Sequence, residues 1–139
     1  MRFLLAWIAR LPLPAVHAAG TLLGWGAWLG SRRYRERMRN HGRQAGVAPD
    51  LLRRSVAEAG RMSAEVPWLW FRPADQPLGD LVRWEGPPLV DEAVAAGRGL
   101  LMVTPHMGCF EVAGRTYAER HGATRPITAL YRPARQAWL

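Results

Sequence analysis

The chain has 139 residues, the size of a single domain, and a formal net charge of +8. The N-terminal third carries this charge: residues 1–49 contain eight arginines and one acid, Glu36, whereas the remaining arginines and acids nearly balance. Aromatic side chains do not alternate with these arginines and no nucleic-acid motif is recognised, so no nucleic-acid partner is expected. Cys109 is the only cysteine, which excludes an intrachain disulfide and a cysteine metal cluster.

The N-terminal segment is strongly apolar, because Arg10 and His17 are the only exceptions within residues 3–30. A helix that crosses a bilayer needs about 20 apolar residues, so we predict an N-terminal membrane helix that anchors the chain within residues 1–30. Interfacial attachment is the alternative, because prolines and glycines interrupt the segment and Arg10 would lie at a costly depth. A cleaved signal peptide is disfavoured, since Arg10 also interrupts its apolar core.

An arginine-rich segment follows directly at residues 31–49. Positive charge beside a membrane segment marks the cytoplasmic side, so residues 50–139 are predicted to lie at the cytoplasmic face. Two interpretations of the arginines remain open. They are a solvated retention signal, or they also bind anionic headgroups or substrate phosphates.

The part of the chain after the arginines begins with a predicted amphipathic helix. Asp50 can cap this helix, whose apolar residues recur at helical spacing until Pro67. After a loop rich in proline, glycine and aspartate, residues 81–85 indicate a short strand. Residues 89–96 indicate a further helix, which Gly97 ends.

The strongest strand pattern is the continuous apolar run Gly99–Thr104, typical of a strand that is covered on both faces in a parallel sheet. Residues 109–120 have helical spacing and residues 126–131 again resemble a strand, which together predict a βαβ unit. We therefore predict an α/β fold with an open mixed or parallel sheet and flanking helices. Ligands bind such sheets at the carboxyl ends of the strands, where His106 follows.

His106 and Glu111 are the candidate catalytic pair. Attack of an alcohol on a thioester requires removal of the hydroxyl proton, and neutral imidazole suits this task near pH 7, so His106 is the predicted general base. A carboxylate hydrogen-bonded to the other ring nitrogen fixes the tautomer, which is the predicted role of Glu111. Gly108 gives the connecting backbone its freedom. The first amides of a helix that begins near Cys109 are predicted to stabilise an oxyanion.

Four alternatives remain for these residues. A metal pair is disfavoured, because a five-residue offset on one helix turns the two side chains about 140° apart and no third ligand is evident. Cys109 is a candidate nucleophile near a helix N-terminus, although a lone cysteine more often packs as a small apolar side chain. Arg115 can pair with Glu111 and compete for its carboxylate. A histidine near a glutamate can also be purely structural.

The block Thr104–Glu111, with the sequence TPHMGCFE, resembles the H-x-G-N-W-E block of bacterial lipid A biosynthesis acyltransferases. These late lauroyl and myristoyl transferases belong to the wider superfamily of glycerolipid and lysophospholipid acyltransferases. Three further segments look like that family's counterparts in the same order: Leu11–Gly20, the arginine-rich segment to Asn40, and Tyr131–Pro133. Cys109 and Phe110 depart from the family's asparagine and tryptophan, which leaves the acceptor and the chain-length preference open.

The resemblance implies transfer of a fatty acyl chain from acyl carrier protein to a hydroxyl of a lipid A precursor, in lipopolysaccharide biosynthesis at the cytoplasmic face of the bacterial inner membrane. No metal or other cofactor is expected. His106 and Glu111 match the family's catalytic dyad. Arg132 matches the arginine of the family's Y-R-P segment and is assigned to phosphate or donor contact, and Gly108 is also assigned to substrate binding.

Members of that family are longer than this chain, so residues 50–139 are expected to be the N-terminal part of an acyltransferase domain whose later strands are missing. Two other functions remain open. One is a related acyltransferase acting on another glycolipid or on a lysophospholipid, and the other is a non-catalytic membrane-binding fragment.

Overall fold

The computed structural model describes residues 7–85 and 89–130. Besides the helical residues 7–8, the chain forms five α-helices over these ranges, joined by turns and loops. They are α1, Leu13–Gly30; α2, Arg32–Gln44; α3, Pro49–Trp70; α4, Leu89–Ala95; and α5, Glu111–His121, with a short 3-10 helix at Gly79–Leu81.

The contacts divide the described chain into two compact units. The N-terminal unit comprises residues 7–77 and 104–111, and it therefore contains α1, α2, α3 and the predicted catalytic block. The C-terminal unit comprises residues 78–103, of which 86–88 are not described, and residues 112–130.

The N-terminal unit is built on a contact between the backbones of α1 and α3. Gly20 and Gly24 on α1 lie against Gly60 on α3: a Cβ on Gly20 would lie 2.7 Å from the Gly60 carbonyl oxygen, and one on Gly24 would lie 3.1 Å from the Gly60 Cα. Glycine is required where two backbones approach this closely. The neighbouring side chains Val16 and Val56 are consequently buried, at 2% and 0% exposure.

Polar side chains join the same two helices beside the glycine contact. His17 Nε2 lies 2.5 Å from Glu65 Oε1, and Arg61 Nε donates to Thr21 Oγ1 at 3.0 Å. Both contacts are partly buried, and a hydrogen bond in such a setting contributes about 0.5–1.5 kcal/mol net. They fix the rotation of α3 about its own axis relative to α1.

The junction between α1 and α2 consists of the single residue Ser31. Its Oγ accepts a hydrogen bond from the Tyr34 backbone N–H at 3.2 Å and so caps α2. Arg35 Nη1 donates to the carbonyls of Trp28 and Leu29 at 2.5 and 2.6 Å. These carbonyls belong to the last turn of α1 and have no partner within the helix, so α2 caps the end of α1.

α3 continues past Pro67, where the sequence predicted its end, to Trp70. Pro67 lacks a backbone donor, which costs a helix interior about 3 kcal/mol. The continuation buries Trp68 and Leu69 to 4% and 3% exposure, and the Arg72 guanidinium lies 4.6 Å from the Trp68 ring centroid. Burial of two large apolar side chains is of the same size as the proline penalty, so the helix is maintained.

The predicted α/β fold is wrong for the residues that the structure describes, which contain helices but no strand. Gly99–Thr104, the expected central strand, lies in neither helix nor strand, and Leu101 and Val103 are 88% and 85% exposed. Residues 81–85 and 126–130 form no strand either; residue 131 lies outside the described ranges. A strand exists only when its main chain is hydrogen-bonded to a neighbour, and no such ladder joins these runs.

The predicted N-terminal membrane helix is also wrong: of the helices in residues 7–85 and 89–130, none is long and apolar enough to cross a bilayer. The apolar stretch does not form one continuous helix, because residues 9–12 interrupt it and α1 begins at Leu13 with 18 residues. Pro12 is the physical cause, since a residue that precedes proline is disfavoured from helical conformation.

The C-terminal unit joins α4 to α5 through Asp91. Arg120 Nη2 donates to one carboxylate oxygen of Asp91 at 2.8 Å. His121 Nε2 lies 3.0 Å from the other oxygen, but it forms no hydrogen bond with any described residue, so this second contact is electrostatic when the imidazole is protonated. Ala93 and Tyr117 are buried in the same unit. One carboxylate thus connects the first turn of α4 with the last turn of α5.

Gly60→Ala is expected to destabilise the protein, because its Cβ would meet backbone atoms of Gly20 and Gly24 that cannot move aside as a flexible side chain can. Overpacking costs about 1–3 kcal/mol, and the free energy of unfolding, measured by urea denaturation and circular dichroism, should fall by at least that amount. Gly26→Ala is the matched control, since nothing lies within 4 Å of its Cβ position and alanine should stabilise α1 by about 0.5–1 kcal/mol. Equal effects would contradict the backbone contact.

Candidate active site

The predicted catalytic block Thr104–Glu111 is a turn that leads into α5. Its backbone enters the left-handed region twice, at His106 with φ of 54° and at Gly108 with φ of 60°. Glycine adopts this conformation freely, whereas it costs other residues about 1–2 kcal/mol. His106 is the only described non-glycine residue with positive φ. Strained residues of this kind concentrate at active sites, so the backbone marks His106 independently of the sequence motif.

Two neighbours hold the His106 imidazole. The Phe110 ring lies against it, with centroids 4.0 Å apart and planes tilted by 34°. In addition, Nδ1 lies 3.4 Å from the Thr104 carbonyl oxygen. A proton on Nδ1 is donated to this carbonyl and leaves Nε2 as the basic nitrogen. Because His106 is exposed, the residue is accessible to a hydroxyl substrate.

Thr104 also supports the turn through its hydroxyl. The His106 backbone N–H donates to Thr104 Oγ1 at 3.4 Å. Both the backbone and the ring of His106 therefore contact the residue two positions earlier. These two contacts are long for hydrogen bonds, so the ring stacking with Phe110 is the closer constraint on the imidazole.

Glu111 is the first residue of α5 and is partly buried. A carboxylate is favoured there because the N-terminus of a helix carries a partial positive charge. One carboxylate oxygen, Oε2, lies 3.8 Å from Cys109 Sγ, whose thiol donates to it. No hydrogen bond or ion pair joins Glu111 to His106, both of which the structure describes. The turn therefore contains both predicted catalytic residues without direct contact between them.

The remaining predicted site residues have different outcomes. Gly108 lies in the turn and has the positive φ that its predicted freedom requires; its contact with substrate stays a prediction. Arg132 lies outside the described residues. Arg115 Nε donates to Glu119 at 2.5 Å, so this carboxylate, and not Glu111, is its partner on α5. α5 begins at Glu111, two residues after the predicted position of the oxyanion-binding amides.

Phe110 is the site residue whose contact the sequence did not predict. In the sequence it stands out only as a departure from the tryptophan of the H-x-G-N-W-E block. The sequence signal that could have predicted this ring contact is an aromatic residue four positions after a histidine, with a glycine between them. The glycine permits the chain reversal that brings the two rings together.

The described ranges contain no cluster of possible metal ligands. No three His, Cys, Asp or Glu side chains of residues 7–85 and 89–130 lie close enough together to hold a metal ion. The ionisable side chains of the turn are the His106 imidazole, the Glu111 carboxylate and the Cys109 thiol.

Comparison with known families identifies the chain as an acyltransferase. The family model of the bacterial lipid A biosynthesis acyltransferases matches residues 1–139. Since this match covers the whole sequence, the chain belongs to that family, and the predicted resemblance is confirmed. Comparisons with curated proteins and with solved structures found no match.

Phe110→Leu is expected to slow acyl transfer by about 2- to 10-fold, because a stacked ring pair contributes about 0.5–1.5 kcal/mol beyond its burial and orients the His106 imidazole. Phe110→Trp keeps an aromatic ring and is expected to retain the wild-type rate. The measurement is the initial rate of acyl transfer to a lipid acceptor. A leucine variant as fast as the wild type would show that the ring contact does not position the imidazole.

Proposed function

We propose that the chain transfers a fatty acyl group from acyl carrier protein to a hydroxyl of a lipid A precursor, at the cytoplasmic face of the bacterial inner membrane. The observation that supports this most directly is the strained, exposed His106 in a chain of the lipid A acyltransferase family. An exposed imidazole in a defined orientation is what proton removal from an incoming hydroxyl requires.

In the first step, the oxygen of the acceptor hydroxyl attacks the carbonyl carbon of the thioester. Nε2 of His106 accepts the proton of that hydroxyl at the same time. The resulting tetrahedral oxyanion collapses, the C–S bond breaks, and the leaving thiolate takes the proton from the imidazolium. The products are an ester and the free thiol of the carrier, and His106 returns to its neutral form. The Thr104 carbonyl, 3.4 Å from Nδ1, supports this tautomer until Glu111 replaces it as the partner of Nδ1.

Glu111 is a positioning residue in this proposal. Its carboxylate stabilises the imidazolium formed during proton transfer. The Cys109 thiol is a weak donor, so its contact with Oε2 is readily exchanged for one with a charged imidazolium. Catalytic hydrogen bonds are often long or absent without substrate and tighten in the complex.

Gly108 and Arg132 are the proposed substrate contacts. Gly108 has a φ of 60°. Because it is a glycine, no side chain obstructs an acyl chain or acceptor that approaches His106. Arg132 is proposed to contact a phosphate of the acceptor or donor, for which the bidentate guanidinium is well suited.

His106→Ala is expected to lower the rate of acyl transfer by about 10²- to 10⁴-fold, the usual contribution of a general base. Glu111→Gln, which keeps the shape but removes the charge, is expected to lower it less. Transfer is followed by mass spectrometry of the lipid product, with acylated acyl carrier protein as donor and detergent-dispersed lipid A precursor as acceptor. His41→Ala is the matched control, because His41 is exposed on α2. Unchanged turnover in His106→Ala would reject the base.

The acceptor is tested by direct competition. Wild-type protein receives equimolar lipid A precursor and lysophospholipid, and the acylated products are compared. The proposal expects the lipid A precursor to be acylated in preference. Preferential acylation of the lysophospholipid would retain the mechanism but reject the substrate.

Attachment to the membrane surface is part of the same proposal. α1 leaves Leu22, Leu23 and Leu29 between 65% and 75% exposed. α2, which follows after one residue, leaves Arg33 and Arg37 exposed. Adjacent apolar and basic helices suit the interface of an anionic bilayer, where leucine enters the headgroup region and arginine contacts phosphate.

The double variant Arg33→Gln/Arg37→Gln is expected to weaken binding to anionic lipid vesicles by roughly 30-fold, since each basic residue near such a surface contributes about 1 kcal/mol. Sedimentation with vesicles of phosphatidylglycerol and phosphatidylethanolamine measures this partition. Arg53→Gln/Arg54→Gln removes the same charge from exposed positions of α3 and should have a smaller effect. Equal losses would attribute binding to net charge alone.

A further inference from the structure

The C-terminal unit contains a cavity of about 350 Å³ where α4 and α5 end. Val94, Leu100 and Tyr117 form an apolar part of its lining, and Arg98, Thr124 and Arg125 form a polar part. A volume of this size lies within the range of small-molecule sites, which combine apolar walls with a few polar groups.

The backbone holds Arg98 at this cavity through the end of α4. Gly97, with φ of 68°, ends the helix; its N–H donates to Val94 O at 3.0 Å and the Arg98 N–H donates to Ala93 O at 3.1 Å. This pair of hydrogen bonds is the Schellman motif, which requires the left-handed glycine. Arg98 is therefore fixed as the first residue beyond the capped helix.

Arg125 lies four residues beyond the end of α5. Its backbone N–H donates to His121 O at 2.8 Å, and its side chain returns toward the end of α4, since a Cβ on Gly97 would lie 3.6 Å from Arg125 Nη2. The Arg125 guanidinium therefore lies close to the glycine that ends α4. Two arginines from different helices thus line one cavity.

Neither guanidinium is neutralised by a carboxylate of the described chain. Arg98 and Arg125 form no ion pair and no side-chain hydrogen bond with residues 7–85 or 89–130. The nearby carboxylate of Asp91 is already bound by Arg120 and lies beside His121. Each guanidinium carries five N–H donors, so the cavity has an excess of positive charge and of free donors.

We propose that this cavity binds a phosphate monoester whose organic part lies on the apolar wall. Guanidinium groups match the geometry of phosphate oxygens and bind them in a bidentate manner. Val94, Leu100 and Tyr117 provide the surface for the rest of the ligand. The proposal concerns the C-terminal unit alone and does not rest on the acyl-transfer chemistry of His106.

A purely structural role makes a different prediction. Arginines near helix C-termini interact with the negative end of the helix dipole, and in that case the two side chains would stabilise α4 and α5 without binding a ligand. Thermal stability and ligand affinity therefore separate the two roles.

The test is isothermal titration calorimetry of the whole chain at about 0.15 M salt, where surface charge is largely screened beyond about 8 Å. The titrants are inorganic phosphate, pantetheine 4′-phosphate and glucosamine 1-phosphate. Both esters are expected to displace inorganic phosphate. The tighter of the two identifies whether the organic part of the ester is an extended amide-containing chain or a sugar, and either result supports the site.

Arg98→Gln and Arg125→Gln are each expected to weaken ester binding at least tenfold, with melting temperatures close to wild type. Arg83→Gln is the control, because Arg83 is an exposed arginine of the same unit that pairs with Glu85. His106→Ala should bind normally, which separates this proposal from the proposed activity. Absence of binding, an equal loss in Arg83→Gln, or a large fall in melting temperature with unchanged affinity would overturn it.

Discussion

Contact between the backbones of α1 and α3 at Gly20, Gly24 and Gly60 sets the spacing to which the rest of the N-terminal unit is fitted. At a larger separation, Arg61 would not reach Thr21. The apolar residues beside the glycines would also lose their burial. The close contact of the two helices depends on residues without a side chain. A substitution at a neighbouring position cannot compensate for the loss of one of these glycines, because any atom added at the contact would clash with main-chain atoms. The distance between α1 and α3 is therefore determined by three glycines and not by the large side chains of this unit.

The candidate active site depends on a different constraint, which is local. His106 and Gly108 both have left-handed backbone conformations, and the Phe110 ring lies against the imidazole. His106 keeps its strained backbone conformation because the contact between the two rings and the start of α5 restrict other backbone conformations. Within the described residues, this short segment fixes the orientation of the candidate base by local contacts alone. Glu111 shares the turn, and its contact with the base is the step that substrate binding is proposed to complete.

The sequence was informative where the signal is local. The H-x-x-x-x-E block identified the family, and the apolar spacing around Val56 predicted most of α3. Prediction from the sequence failed where the conformation of a segment depends on contacts with residues distant in the chain. The run Gly99–Thr104 has the composition of a buried strand, but composition does not specify which segment supplies its hydrogen bonds. Pro67 misled for a similar reason, since the burial of Trp68 that offsets it is visible only in three dimensions. The length of the apolar N-terminal stretch predicts a spanning helix, whereas the break before Leu13 depends on Pro12.

The one-residue joint at Ser31 has a mechanical consequence. Arg35 binds two carbonyls of α1, and Ser31 caps α2, so the joint has little freedom to act as a hinge. The apolar face of α1 and the basic face of α2 consequently keep a constant mutual orientation before they meet any surface. When two weak attractions are held in register in this way, the second forms at high effective concentration after the first. In the proposed attachment to a membrane surface, neither helix therefore needs to bind strongly by itself, because the entropy of aligning the two helices was already lost on folding.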